Sequence, residues 1–418
     1  MTEQGDRERG AEEAQREVVE ERKGGDYAPS VADSLAFYQR AGGIVTALMT
    51  AVIAFLIGGI VVLASGSNPF STYKAVFNGT GLNWLFPWVT GATRATAALN
   101  LQQTLLLTTP LILCGLAVAF AFRCGMFNIG GEGQYIVGSI MAVWIASSFV
   151  KMNGPLHIVL TIVVAALAGG LYAGIAGFLK ATVGAHEVIS TIMLNWIAFW
   201  VGSWLFALGG PLQSKANGAS VPVSNDIVQS AHLHVFWGDP VLQGLHVGFF
   251  IALTGLVVYW LTLNRTTLGY QVRAVGFNPE AARYGGIGVA RNYFRAMAIA
   301  GTFAGLAGAI DVLGWEFRLN VNDIQVSNIG FIAIAVALLG RNTAVGVFFS
   351  ALLFGALLNG TSTRNLDPTV FRPDLAGNLT LIIQGLVVLF VGADVLVIWI
   401  WNQRRRLRPG RAAAVPSP

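Results

Sequence analysis

Charge is what this sequence has least of. Of 418 residues, 11% are Asp, Glu, Lys or Arg, against 54% hydrophobic. Soluble domains carry about 25% charged residues. The deficit excludes an ordinary water-soluble fold and makes lipid the main solvent. Cysteine is also scarce. Cys114 and Cys124 are the two in the chain, and ten helical residues span about 15 Å. That is beyond disulfide reach, so no disulfide framework exists. No G-x-x-x-x-G-K-[ST] pattern occurs, which excludes a P-loop and ATP hydrolysis by that route. His186-Glu187 opens like a zinc-protease H-E-x-x-H, but Ser190 stands where the second histidine belongs. His232 and His234 form an H-x-H without a supporting cysteine or carboxylate cluster, which reads as a surface loop. The net charge of +5 does not imply nucleic acid. The cations sit at the ends of apolar runs, which is a topology signal.

Long apolar runs are what the chain has. About 20 apolar residues cross a bilayer as a helix. Ten runs qualify as spans: Gly43–Ser65, Ala97–Phe120, Gly131–Val150, Leu156–Lys180, Val188–Leu208, Val247–Leu263, Tyr293–Leu313, Val326–Leu339, Ala344–Leu358 and Gly377–Trp401. The expected fold is an all-α polytopic membrane protein. The eighth and ninth runs are short and flank Gly340-Arg341-Asn342, so they read as broken or partly re-entrant. Arg40, Arg123, Lys180, the arginines from Arg265 to Arg295, Arg341 and Arg404-Arg405-Arg406 fall on one side. The positive-inside rule makes that side cytosolic and puts both termini there. The loop 209–245 has one lysine and no arginine, so it belongs outside. Residues 1–41 form a charged tail without a signal-peptide core, 42–401 the membrane domain, and 402–418 a basic tail.

A repeat lies within the spans. Asn128-Ile129-Gly130 opens the third, and Asn328-Ile329-Gly330 opens the eighth, 200 residues later. Other spans pair at a similar offset. The offset is an odd number of spans, so the two five-helix halves run in opposite directions. Inverted repeats of this kind place a substrate path where the halves meet.

Polar residues concentrate at a few points. In FRCGMFNIGGEGQ (Phe122–Gln134), Arg123 closes one helix and Asn128 suits the N-cap of the next, with Glu132 in its first turn. The stretch reads as the cytosolic turn between spans two and three. Glu132 and Gln134 then lie at the inner mouth of the path, where Glu132 is either a cap or a gate. Asn195 and Trp196 fall near the middle of span five, Gln102 and Gln103 in span two, and Gln384 in span ten. A flat base stacks on an aromatic ring, and ribose hydroxyls pair with amides. Amides equally glue helices together, so both roles stay open. Asp311 and Asp394 lie nearer span ends and suit capping or interhelical roles.

The loop NRTTLGYQVRAVGFNPEAARYGGIGVARNYFR (264–295) carries five arginines. Asn278 suits an N-cap, Pro279 a first helical position, and Gly285-Gly286 a stop. The result is a short cytosolic helix, either a plain connection or one that docks into a partner's groove. Glu280-Ala281-Ala282, three residues, then Gly286 resembles the EAA-x-x-x-G coupling motif of ATP-binding cassette importer permeases, although the I-x-L-P that usually follows is missing. GMFNIGGEGQYIVGS, HEVISTIMLNWIA, RAVGFNPEAARYGGI, GTFAGLAGAI and GFIAIAVALLGRNTAVGV resemble the permease family for branched-chain amino acids, ribose and nucleosides, in its simple-sugar and nucleoside branch. The resemblance runs from about Gly43 to Val397.

The resemblance implies a type II importer permease with about ten helices in two inverted repeats. It implies a non-enzymatic subunit of the bacterial plasma membrane that passes nucleosides or simple sugars. The implied partners are an ATPase with two nucleotide-binding domains that binds ATP and Mg, a second related permease chain and an extracytoplasmic binding lipoprotein. Asn278, Pro279, Glu280, Ala281, Ala282 and Gly286 would couple to the ATPase. The alternative is an ion- or proton-coupled secondary transporter. The coupling motif argues against it, because such a transporter has no ATPase to dock.

Overall fold

The computed structural model describes residues 42–64, 66–216, 221–239 and 243–362, with six isolated positions between 378 and 389. The two terminal tails, Gln384, Asp394 and nearly all of the tenth expected span lie outside the described residues. Thirteen α-helices appear among the described residues. Six helical segments there are long and apolar enough to cross a membrane, and shorter apolar helices add to them at Ala51–Ala64 and Ala344–Gly360.

Helix α1 is Gly42–Ala64. The short α2, Pro69–Thr80, starts where the Asn68 side chain accepts from the Phe70 N–H. Helix α3, Gly91–Arg123, is the centre of the fold, and its residues Leu111–Ala121 are fully buried. At 33 residues it is about 50 Å long, longer than the expected span. Pro110 within it lacks an N–H, which frees the carbonyl one turn back. Helices α4 (Gly131–Ser148), α5 (Gly154–Val183) and α6 (Glu187–Phe206) follow. The outer loop then folds into a two-stranded antiparallel ribbon, β1 Val235–Trp237 with β2 Leu245–His246.

Helix α7 is Gly248–Arg265, α8 Thr267–Phe277 and α9 Pro279–Tyr284. Helix α10, Val289–Asp311, runs into a π-turn over Val312–Glu316. Phe317 closes that turn at φ +56°, its N–H reaching back to the Val312 carbonyl. A capping box between Asn320 and Asp323 starts α11, Val321–Val326. Helices α12, Ile329–Leu339, and α13, Ala344–Gly360, complete the described fold.

The most extensive helix pairing is between α5 and α10. Their sequences explain it. Ala165, Gly169, Ala173 and Gly177 repeat every four residues along α5, and Gly301-x-x-x-Gly305 sits on α10. Small residues at that spacing let backbones touch, which is how helices associate where water gives no drive. A Cβ on Gly301 would strike the Gly169 carbonyl, and one on Gly305 would strike the Ala165 carbonyl.

The eighth span is broken, as its shortness led us to expect: α11 and α12 are separated at Ser327-Asn328. The 11 residues of α12 cover about 16 Å, half of a hydrocarbon core of about 30 Å. Helices α2 and α8 were absent from the sequence reading, because neither is long or apolar enough to register as a span.

Candidate functional site

The Asn128 and Asn328 triplets converge. A Cβ on Gly330 would strike the backbone of Gly131 and Glu132, so the N-termini of α4 and α12 abut. The free N–H groups of the α12 start need an acceptor, and the Glu132 carboxylate supplies it, Oε2 accepting from the Gly330 N–H at 2.7 Å. Glu132 is 4% exposed. It lies in the first turn of α4, yet its carboxylate caps another helix.

Around it the amides are arranged reciprocally. Asn128 Oδ1 accepts from the Gly130 N–H at 3.0 Å and from Gln134 Nε2 at 2.9 Å, and Asn128 Nδ2 donates to Gln134 Oε1 at 3.0 Å. Asn128 is therefore not the N-cap. That position belongs to Gly130, and Asn128 instead braces the turn before it. Asn195 on α6 accepts from the Gly133 N–H at 2.8 Å and donates to the Ile129 carbonyl at 3.0 Å. Its amide oxygen and nitrogen both hold the start of α4. Trp196 is on the other side of α6, 55% exposed and packed against Phe199. The expected pairing of Asn195 and Trp196 around one solute is thus not formed. Gln103 Nε2 donates to the Gln243 carbonyl at 2.9 Å, and Gln102 lies under Gly238, so both support the outer loop.

The stretch Phe122–Gln134 is not a superficial turn. Arg123 grips the turn after α12, its Nε and Nη2 donating to the Asn342 carbonyl at 3.0 and 2.8 Å. Tyr259 Oη donates to the same oxygen at 2.7 Å. From there the chain turns inward through Met126 and Asn128, both buried. Glu132 meets α12 at its far end, about 16 Å along that helix from the Arg123 contact. It is buried within the bundle.

Asp311 is also buried, at 1% exposure, so water does not reach it as expected of a residue near a span end. Tyr135 Oη donates to its Oδ2 at 2.7 Å and Trp315 Nε1 to its Oδ1 at 3.2 Å. It ties α4 to the π-turn, the interhelical role expected of it. Tyr135 and Trp315 were missed in the sequence. The available signal was a pair of carboxylates, Asp311 and Glu316, five residues apart in an apolar run.

His232 and His246 are packed into the outer loop and ribbon. His232 stacks on Phe317 with ring centroids 4.2 Å apart, and burial lowers its pKa. His246, on the ribbon, is wholly buried with Nδ1 accepting from the Gly248 N–H at 3.1 Å. Gly314 packs so closely on that ring that a Cβ would not fit. Burial pushes the His246 pKa down to about 4. Among the described residues no group of His, Cys, Asp and Glu is placed to hold a metal. Glu187 pairs with Lys180 at 2.9 Å, which accounts for the incomplete zinc pattern.

The segment 278–286 folds as its residues require. Asn278 Oδ1 accepts from the Glu280 and Ala281 N–H groups at 3.0 and 3.1 Å, with Pro279 at the first position. The helix has six residues, just under two turns. Gly286, at φ +79°, makes the left-handed exit that glycine tolerates. Two aromatic side chains flank α9 in nearly full exposure, Phe277 at 92% and Tyr284 at 94%.

The family model described as the permease component of the branched-chain amino acid transport system matches residues 100–392. The chain belongs to this permease family. A guanosine ABC transporter permease of Bacillus subtilis, NupP, is 35% identical over 88% of this chain and 98% of its own length. A nucleoside ABC transporter permease of Lactococcus lactis, NupB, is 31% identical over 84% and 91%. A glucose ABC transporter permease of Haloferax volcanii, TsgB13, is 31% identical over 83% and 86%. No solved structure matches. The permease is a multi-pass membrane component of an ATP-binding cassette importer. It is a transport subunit and not an enzyme, and it works with an ATPase and a substrate-binding protein.

Proposed function

We propose that this permease carries nucleosides across the bacterial plasma membrane by alternating access. The observation that carries the substrate is the likeness to the guanosine permease over 98% of that protein's length. A simple sugar is the second reading, favoured by the glucose permease among the relatives. The chain pairs with a second, related permease, receives solute from an extracytoplasmic lipoprotein, and keeps both termini in the cytosol. ATP and Mg bind the partner, an ATPase with two nucleotide-binding domains. About ten spans form two inverted halves. The abutting starts of α4 and α12 support that reading, since equivalent points of two inverted halves meet near an in-plane axis.

ATPase closure acts on α9. Asn278 and Pro279 fix its start, Glu280-Ala281-Ala282 is its contact face, and Gly286 lets the chain leave at once. Phe277 and Tyr284 anchor it on either side, since exposed aromatics of this kind seek a partner's pocket. Motion transmitted through α8 and α10 rocks the halves. Glu280→Lys and Gly286→Trp are expected to abolish transport-coupled ATP hydrolysis while leaving the chain inserted. Substrate-stimulated ATPase activity at the wild-type level in both variants would sink this reading. Uptake that survives an uncoupler but not ATP depletion separates it from a secondary transporter.

A further inference from the structure

A cavity of about 440 Å³ lies between α4, the π-turn and the α11–α12 break. Small-ligand pockets run from about 300 to 1,000 Å³. Its polar and aromatic lining includes Tyr135, Trp315, Glu316, Asn322, Asp323 and Ser327. The π-turn is what presents two of these. One extra residue per turn rotates Trp315 and Glu316 out of the α10 register, and such turns recur at functional sites. Asp311, behind the wall, fixes the Trp315 indole through Nε1 and the Tyr135 hydroxyl in the same way.

The carboxylates are not equivalent. Both oxygens of Asp311 are taken, and Asp323 Oδ2 accepts from the Asn320 N–H in the capping box. Among the described residues Glu316 Oε2, which is buried, has no hydrogen-bond partner. A buried carboxylate oxygen left without donors is costly, so the site is built for something that brings them. Among the described residues no lysine, arginine or histidine lines the cavity. With carboxyl groups around it and no cation among those residues facing it, the chamber offers an anion nothing to pair with.

We propose that this chamber holds the solute in transit and selects a neutral nucleoside, with the base lying on the Trp315 indole and its N–H groups donating to Glu316. The inference rests on the importer reading and deepens it. A guanine base offers a flat face and adjacent N–H donors at N1 and N2, and carboxylates and aromatic rings read bases in this manner. Leucine and guanosine monophosphate each carry an anionic group that the lining cannot neutralise. Bare ribose lacks the flat face.

The test uses the detergent-purified complete importer carrying Asn322→Cys, labelled at equilibrium with a neutral maleimide. Cys114 and Cys124 are buried and give a quiet background. Guanosine is expected to slow labelling, whereas guanosine monophosphate, leucine and ribose leave it unchanged. In proteoliposomes Glu316→Gln, which keeps the shape and turns one acceptor oxygen into an amide donor, is expected to raise the KM for guanosine about 10-fold at wild-type abundance. The proposal is overturned if guanosine gives no protection, if guanosine monophosphate, leucine or ribose protects as well, or if the Glu316→Gln KM is unchanged. A wild-type complex with no ATP-driven guanosine uptake refutes the nucleoside reading of the importer instead, and the labelling still reads the chamber.

Discussion

Replacing Asn195 by leucine separates a packing role from a pathway role. Gly133 is the third residue of α4, so its N–H has no partner within the helix. Asn195 supplies one, and the same amide satisfies the Ile129 carbonyl. Leucine leaves both backbone groups buried and unpaired. In a soluble protein each would cost about 1–3 kcal/mol. Hydrogen bonds between membrane helices measure lower, about 0.6 kcal/mol on average and about 1.7 at most, because the dissociated helices find other partners in lipid. Two such bonds give a loss of about 1–3 kcal/mol. Taking about 2, the folded population falls roughly 30-fold relative to the unfolded. That is a large share of a total stability of about 5–15 kcal/mol. The assay is membrane abundance together with the thermal midpoint of the purified complex, read beside uptake per molecule. Abundance and midpoint are expected to fall, with uptake per surviving molecule near normal. Wild-type abundance and midpoint with uptake abolished would refute the packing argument and return Asn195 to the path.

Two further outcomes follow from the buried polar groups. Glu132→Gln keeps an oxygen that can accept from the Gly330 N–H, so abundance should hold, whereas Glu132→Ala removes the acceptor and should lower the thermal midpoint by the equivalent of about 1–3 kcal/mol; equal midpoints in the two variants would contradict the capping geometry. His246 takes up no proton in the folded state until about pH 4, whereas unfolded it does so near 6.5. Its contribution is therefore complete above about pH 6.5 and lost progressively toward 4, up to about 3 kcal/mol. The midpoint of the wild type should drop between pH 7.5 and 5, and His246→Asn should flatten that drop; parallel curves would refute it.

The parts legible in the sequence were those governed by local rules. Apolar length marked most spans, and Asn278-Pro279 followed by Gly285-Gly286 marked a helix start and stop that the structure reproduces. The broken eighth span was legible from its shortness. The candidate site was not, because it depends on long-range meetings. Glu132 and Gly330 are 198 residues apart, and nothing in either segment states that one caps the other. Asn128 illustrates the limit: its type suits an N-cap, but tertiary packing gave it Gln134 as a partner and left the cap to Gly130. The π-turn is equally silent in sequence, since one residue added to a turn changes no apolar period. Without it, Trp315 and Glu316 read as span residues and not as a chamber wall.

The seam between α5 and α10 has a consequence for how this chain can change over time. At Gly169 and Gly301, and at Ala165 and Gly305, main chain lies against main chain. Neither Gly301 nor Gly305 can gain a side chain while the backbones stay this close, and shrinking the partner is no remedy because what the new Cβ meets is a main-chain carbonyl. No compensating second substitution exists. Drift in this protein is therefore channelled away from the seam, and a variant library would return it nearly empty while the lipid-facing flanks of the same two helices fill with substitutions.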